Sequence, residues 1–190
     1  MNRLLITGAT GFIGQNLLPE IICQFPEIKI LTLNKFVQEA ITMFPCSQCE
    51  HVEGLPIETI KRFNPEIAIH LATLTTAENV FDLIKPLIDT NITYGTELLS
   101  ALSECTDLKI FINTGSFSKY SEGVEKIHDA YLYSATKSAF RVCICTVCFL
   151  YLISWPQIDI MYEGFGKILR RSIRLCRQMG VAFQMRVQNN

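Results

Sequence analysis

The stretch Thr7-Gly-Ala-Thr-Gly-Phe-Ile-Gly14 predicts how the first part of the chain folds. Before it, Leu4, Leu5 and Ile6 form an unbroken apolar run, which is typical of a buried parallel strand. After it, apolar residues recur at helical spacing at Ile13, Leu17, Leu18, Ile21, Ile22 and Phe25. The pattern is therefore a strand, a glycine-rich turn and an amphipathic helix.

Strand, turn and helix in this order predict a dinucleotide-binding βαβ unit, in which each glycine has a task. Gly8 permits the tight turn, Gly11 lets the backbone approach a pyrophosphate, and Gly14 lets the helix pack closely on the strand. The N–H groups and the dipole at the start of the helix hold the phosphate charge. The predicted cofactor-binding residues of this segment are Gly8, Thr10, Gly11, Phe12, Ile13 and Gly14.

The end of the second predicted strand, residues 28–33, bears on the choice of cofactor. An acid there would accept hydrogen bonds from a ribose hydroxyl, whereas a cation tolerates a 2′-phosphate. The chain has Asn34 and Lys35 at this point, and the first carboxylate after them is Glu39. We therefore expect both residues to contact the cofactor and to favour NADP over NAD. NAD stays open, because Lys35 is equally explained as a solvated surface lysine.

Composition indicates one globular domain with a substantial core, since the 190 residues are 49% hydrophobic and 18% charged. The first apolar run is too short for a secretory signal, so we expect none. The eight cysteines lack the spacing of a disulfide framework, which favours reduced thiols and a cytoplasmic location. Cys46-x-x-Cys49 is a single pair, so we expect no metal, with zinc as the alternative. We also expect no nucleic-acid partner.

Strands and helices alternate further along the chain. Residues 67–72 and 108–112 are predicted buried strands, and residues 75–104 are predicted to be mostly helical, with a kink at Pro86. This alternation predicts a three-layer, doubly wound parallel sheet of the Rossmann type. We interpret His70, inside a strand, as a packed core residue rather than a catalytic one.

Ligands of such sheets lie beyond the carboxyl ends of the strands. We expect residues at or just after the ends of the predicted strands 67–72 and 108–112 to lie near Gly8 at that edge. They are Leu71, Ala72, Thr73, Thr114 and Ser116.

Tyr133-Ser-Ala-Thr-Lys137 carries the predicted chemistry. On a helix, residues i and i+4 lie on one face, so the phenol and the ammonium share a pocket. A nearby cation favours the phenolate and lowers the tyrosine pKa. Alone, this pair is a common surface pattern. Combined with the nucleotide turn and with Ser116 at a strand end, it predicts an acid–base site.

At this point the sequence resembles the extended short-chain dehydrogenases/reductases over about residues 3–140. The resemblance is carried by Thr7-Gly-x-x-Gly-x-x-Gly14, Ile69-His-Leu-Ala72, Asn91 with Gly95-Thr96, Ser116 and Tyr133-x-x-x-Lys137. Residues 111–116 and 132–140 are similar to the nucleotide-sugar branch, which includes sugar 4-epimerases and 4-ketoreductases of the CDP-abequose or CDP-paratose synthase type.

The resemblance implies hydride transfer at C4 of a nucleotide-linked sugar. Ser116 would polarise the sugar carbonyl or hydroxyl, Tyr133 would act as acid and base, and Lys137 would hold the nicotinamide ribose. It adds Asn91, Tyr133 and Lys137 to the predicted cofactor contacts. It also implies a homodimer, with helices around 87–104 and 130–140 pairing as a four-helix bundle.

Beyond Phe140 the resemblance stops. Residues 1–140 carry 10 basic and 16 acidic side chains, whereas residues 141–190 carry 7 and 2. We therefore predict a Rossmann domain over 1–140 and an atypical tail over 141–190 that packs on it. In this tail, residues 142–155 are almost purely apolar but fewer than the roughly 18 of a membrane span, which predicts a buried helix or strand. Residues 165–179 predict a helix with one apolar and one basic face, which packs on its own domain or binds an acidic surface.

Two functions stay open from the sequence. The first is an NAD(P)-dependent nucleotide-sugar oxidoreductase or epimerase without membrane spans. The second is a non-catalytic remnant that binds cofactor and uses the basic helix for interaction. Because the motifs end together where the charge changes, we predict that truncation or a reading-frame change produced the tail and that turnover is low. A genuine short variant is the alternative.

Overall fold

The structure is a computed structural model, and it describes residues 2–116, 131–150 and 157–160. For residues 147–150 and 157–160 only the backbone is described. The predicted basic helix at 165–179 lies outside the described residues.

One sheet of six parallel strands organises these residues. The strands are β1 (Arg3–Thr7), β2 (Lys29–Asn34), β3 (Cys49–Glu53), β4 (Ile67–His70), β5 (Ile110–Thr114) and β6 (Gln157–Ile160). Their order is β3-β2-β1-β4-β5-β6, and every neighbouring pair is parallel. The chain thus winds outward from β1 in one direction and then returns to wind outward from β4. The strand order reverses between β1 and β4, which is where such sheets open a crevice for a ligand.

Helices cover both faces of the sheet. They are α1 (Phe12–Gln24), α2 (Val37–Met43), α3 (Ile57–Phe63), α4 (Phe81–Ile88), α5 (Tyr94–Leu102) and α6 (Leu132–Leu150). Alternate residues of β1 point to opposite sides: Leu4 and Ile6 pack in the cluster that contains Leu18 and Ile21 of α1, and Leu5 packs in the cluster that contains α5. The predicted three-layer, doubly wound fold is confirmed.

The helical region after β4 differs from its prediction. Residues 75–80 are not helical, and the helix begins at Phe81. Pro86 lies inside α4 without ending it, and the irregular turn is a π-helical segment, Asp89–Thr93, between α4 and α5. The change in helical hydrogen bonding therefore begins at Asp89 and not at Pro86.

Helix α6 runs past Phe140 without interruption. Phe140 and Ile144 are buried, whereas Val142 is 65% exposed, so the beginning of the apolar run is helical but only partly buried. Strand β6 then pairs with β5. Among the described residues, no helix has the length and apolarity needed to cross a membrane. The division of the chain at residue 140 stays a prediction.

Candidate active site

A cleft of about 1330 Å³ opens at the carboxyl ends of the strands. Thirteen of the predicted site residues line it: Gly8, Thr10, Gly11, Phe12, Ile13, Asn34, Lys35, Leu71, Ala72, Thr73, Thr114, Ser116 and Tyr133. The lining does not include Gly14, Asn91 and Lys137. Lining residues that the sequence did not suggest are Leu33, Glu53, Gly54, Thr75, Asp89, Thr90, Tyr94 and Gly115.

The glycine-rich turn forms the floor of the cleft. Gly8 has a φ of +69°, and the Gly11 N–H donates to the Gly8 carbonyl at 3.1 Å. A Cβ on Gly8 would lie 2.6 Å from the backbone nitrogen of Ala72, so the turn touches the end of β4 directly. Gly14 serves packing instead, because its Cβ would lie 2.3 Å from the Ala9 carbonyl oxygen. The start of α1 carries neither a side-chain cap nor an acidic residue that would compete with an anion there.

His70 is a buried core residue, as the sequence analysis interprets it. Its side chain is 1% exposed, its Nδ1 lies 2.8 Å from Thr7 Oγ1, and its ring packs against Phe111 and Phe140. Burial, with a smaller effect of the nearby Lys137 charge, lowers the pKa of His70 to about 3. His70 is therefore neutral at physiological pH and adds no second charge beside Lys137.

This buried histidine predicts how stability depends on pH. The pKa of His70 lies below its ordinary value of 6.5, so its neutral form contributes stability that is complete above about pH 6.5 and is lost as the pH falls towards 3. We expect about 2 kcal/mol of this contribution to be lost at pH 5. Urea unfolding at pH 7 and pH 5 measures it, and the His70→Asn variant, which has no imidazole there, should lose correspondingly less. An imidazole NMR signal of His70 that titrates near pH 6.5 would contradict this account.

Asn91 links the loop after β4 to helix α6. Its Oδ1 accepts from Thr73 Oγ1 at 2.9 Å and from the Leu74 N–H at 2.8 Å. Its Nδ2 donates to the Leu74 carbonyl and to Thr136 Oγ1, both at 3.0 Å. Both amide hydrogens and both acceptor positions are thus used within the protein. Asn91 positions the loop after β4 against α6, and its direct contact with a cofactor stays a prediction.

The three predicted catalytic residues lie around one end of the cleft. Ser116 follows β5 and is 7% exposed, and Tyr133 lies in the first turn of α6; both line the cleft. Lys137 is one helical turn further along and is 4% exposed. The start of α6 is fixed by the Leu132 N–H, which donates to Asn79 Oδ1 at 3.0 Å. Ser116 and Tyr133 thus place a hydroxyl and a phenol in the lining of the same cleft at the carboxyl edge of the sheet.

The other end of the cleft carries two opposite charges, from Lys35 and Glu53. Glu53 is paired with Asn34 in the register of β2 and β3, and the Gly54 N–H donates to the Asn34 carbonyl at 2.8 Å. The Asn34 side chain is 6% exposed and donates to the Val52 carbonyl at 3.2 Å. Lys35 Nζ lies 5.3 Å from the centre of the Phe36 ring. Sequence reasoning missed Glu53, although the end of β3 must lie beside the end of β2 in a parallel sheet.

A parallel sheet with a glycine-rich turn at its switch point defines a Rossmann-type nucleotide-binding protein. The sequence profile of the NAD dependent epimerase/dehydratase family matches residues 4–146. The chain belongs to this family. Among curated proteins, none matches the sequence significantly.

Solved structures with this fold include three nucleotide-sugar or NAD-binding enzymes. The UDP-glucuronic acid 4-epimerase of Bacillus cereus, in complex with NAD, is 18% identical, with a TM-score of 0.69 over 84% of this chain and 56% of that one. The UDP-glucose 4-epimerase of Thermotoga maritima, with UDP-glucose, is 18% identical, with a TM-score of 0.67 over 83% and 54%. The enzyme WbmG of Bordetella bronchiseptica, with NAD, is 21% identical, with a TM-score of 0.65 over 83% and 51%. The chain thus spans about half the length of these proteins.

Proposed function

We propose that this chain binds a nicotinamide dinucleotide in its cleft and carries the acid–base groups for redox chemistry at C4 of a nucleotide-linked sugar, as an epimerase or a reductase. One observation carries the proposal: the glycine-rich turn, Ser116 and Tyr133 line a single cleft. Membership of the NAD dependent epimerase/dehydratase family supports it. So do the similar structures, which contain NAD or UDP-glucose. A cytoplasmic location stays a prediction.

The residues present fit such a cofactor. Gly8 and Gly11 form a surface without side chains, and the uncapped start of α1 offers N–H donors to a pyrophosphate. The cleft extends from there to Tyr133, so a dinucleotide would place its nicotinamide near the phenol. When bound, the nicotinamide would supply the hydride acceptor or donor for the sugar carbon.

Tyr133 would move the proton that accompanies hydride transfer. Its phenolate takes the proton of the sugar 4-hydroxyl as that carbon is oxidised, and the phenol returns the proton on reduction. The Ser116 hydroxyl donates a hydrogen bond to the same sugar oxygen and stabilises its developing charge. Lys137 is buried one helical turn after Tyr133 and would hold the nicotinamide ribose, as the resemblance implies. Asn91 holds helix α6, which carries Tyr133 and Lys137, against the loop after β4.

The test is an incubation of the purified chain with UDP-glucose or UDP-glucuronic acid and either cofactor, followed by chromatography of the sugars. Formation of a 4-epimer or a 4-keto sugar is the expected result of an active site. The second candidate function is cofactor binding without turnover, which is favoured by the observation that Lys137, one of the three predicted catalytic residues, does not line the cleft. Cofactor binding with no product from any substrate would support that candidate. A reading-frame change near residue 140 stays a prediction that the coding DNA tests.

We expect NADP to bind more tightly than NAD, because Lys35 can pair with a 2′-phosphate at the β2 end of the cleft. Calorimetric titration of both cofactors measures the preference, which we expect to be roughly three- to tenfold for one charged contact at an exposed site. Lys35→Ala should remove it. Glu53→Gln should increase it, because the Glu53 carboxylate repels the same phosphate. Equal affinities that Lys35→Ala leaves unchanged would exclude the role of Lys35.

We also expect the chain to form a homodimer through α4 and α6. The predicted dimer helices included residues 94–104, yet Leu98, Leu99 and Leu102 of α5 are buried in the core. The exposed apolar stripe is on α4 instead, at Phe81, Ile84 and Ile88, of which Phe81 is 85% exposed. Such a stripe favours a self-complementary contact.

Light scattering at micromolar concentration tests the homodimer. The double variant Phe81→Ser/Ile84→Ser should be monomeric, whereas the control Ile57→Ser, on α3, should stay dimeric. A monomeric wild-type chain would overturn the proposal.

A further inference from the structure

The pair Cys46 and Cys49 lies outside the lining of the proposed cleft. Within the described residues, no three His, Cys, Asp or Glu side chains are grouped so as to bind a metal ion. The two sulfur atoms nevertheless lie 3.0 Å apart, and both side chains are partly buried. Two thiols at this distance can be oxidised to a disulfide.

The backbone around the pair forms a turn that brings the two residues close together. The Cys49 N–H donates to the Cys46 carbonyl at 3.2 Å, which closes a four-residue turn whose end Cα atoms lie within about 7 Å. This range overlaps the Cα separations of disulfides. The turn is fixed to the sheet, because the Gln48 carbonyl accepts from the Ile30 N–H at 2.8 Å and the Gln48 amide donates to the Phe25 carbonyl at 3.0 Å.

We propose that Cys46 and Cys49 form a reversible dithiol–disulfide site that reacts with small disulfides such as oxidised glutathione. The Cys46 thiolate attacks one glutathione sulfur, forms a mixed disulfide and releases one glutathione thiolate. Cys49 then loses its proton to solvent, attacks the Cys46 sulfur and releases the second glutathione thiolate. Two protein thiols are oxidised and one glutathione disulfide is reduced to two thiols, so atoms and electrons balance.

The order of the two steps follows from the environment of the sulfurs. Burial, together with the hydrogen bond and the charge of Cys46, raises the pKa of Cys49 to about 12. Cys49 thus keeps its proton when a small disulfide arrives, and the first attack falls to Cys46.

The bridge should leave the cofactor cleft unchanged. Cys49 is the first residue of β3 and Glu53 is the last, so the turn and the cleft lie at opposite ends of this strand, about 13 Å apart at 3.3 Å per residue. The disulfide site is therefore independent of the proposed function, so an experiment can refute one of the two proposals without refuting the other.

The experiment equilibrates the reduced full-length chain with glutathione buffers, quenches with acid and an alkylating agent, and maps the peptides by mass spectrometry. Cleavage at Lys35 and Lys61 releases one peptide, residues 36–61, that contains both cysteines. We expect the oxidised peptide to escape alkylation and to be about 2 Da lighter than the unalkylated dithiol peptide, and we expect dithiothreitol to restore both thiols. The ratio of reduced to oxidised glutathione at half oxidation should differ from that of the chain in urea by on the order of tenfold, because folding holds the two sulfurs together.

Variants of single cysteines distinguish the first attack, by Cys46, from the second attack, by Cys49. Cys49→Ser should retain glutathione on Cys46 as a mixed disulfide, and Cys46→Ser should leave Cys49 unmodified. Cys23→Ser, which removes an exposed cysteine of α1, should form the bridge as the wild type does. The proposed site would be overturned if the peptide 36–61 kept both thiols while Cys23 was modified. It would also be overturned if the folded chain and the chain in urea were half oxidised at the same glutathione ratio. NAD(P) affinity that changes more than twofold on oxidation would overturn the separation of bridge and cleft.

Discussion

Gly8→Ala is expected to destabilise the fold by roughly 3–5 kcal/mol, because two penalties coincide at this position. A residue with a side chain is strained at a φ of +69°. Its Cβ would in addition lie 2.6 Å from the Ala72 nitrogen and 2.9 Å from the Leu71 carbonyl carbon. These are backbone atoms, so no side-chain rotation relieves the contact, and β1 and β4 must separate.

Gly54 provides a matched control for the first penalty alone. Its φ is +68°, but no atom lies within 4 Å of where its Cβ would be. We expect Gly54→Ala to cost roughly 1 kcal/mol, the cost of the left-handed backbone by itself. Urea unfolding without cofactor compares the two variants. Equal losses of unfolding free energy would show that the contact between Gly8 and the end of β4 is not tight.

Tyr133→Phe is the second change with a large expected effect. On a substrate that the wild-type chain converts, kcat should fall roughly 10²- to 10⁴-fold, which is the usual contribution of a positioned acid–base group. Cofactor affinity should change little, since the aromatic ring that lines the cleft is kept. The loss then appears in kcat more than in KM, as for an interaction made in the transition state.

Two further variants make the Tyr133 test specific. Tyr131→Phe removes a phenol two residues earlier that is 39% exposed and does not line the cleft, so its turnover should equal that of the wild type. Lys137→Ala should lower both turnover and cofactor affinity, because the resemblance gives Lys137 a ribose contact as well as an effect on Tyr133. Full activity of Tyr133→Phe would show that another group moves the proton.

The fold was predictable because its signals are local. The apolar run of β1, the glycine turn and the helical spacing of α1 each lie within a few consecutive residues. Helix α1 (Phe12–Gln24) covers all but the last of the residues whose spacing predicted it. The predicted start of a helix at residue 75 was wrong, since residues 75–80 form an irregular segment with local and distant hydrogen bonds. Asn79, for example, accepts from the start of α6, far along the chain.

The parts of the site that depend on distant pairing were not predictable from local pattern. Glu53 reaches the cleft only because β3 pairs with β2. The sequence around the end of β2 contains Asn34 and Lys35, but it gives no sign of this carboxylate. Asn91 is a similar case. Its motif suggested a ligand contact, whereas the loop after β4 and helix α6 use the hydrogen-bonding capacity of its side chain.

The neutral state of His70 also has a calorimetric consequence. At pH 5 to 6 the folded chain holds this imidazole without a proton, whereas the unfolded chain, with an ordinary histidine pKa, binds one. Unfolding in that range therefore takes up a proton from the buffer. The heat absorbed at the melting transition will consequently include the ionisation enthalpy of the buffer, and scans in acetate and in a buffer with a large ionisation enthalpy will differ by the proton that this one ring accepts.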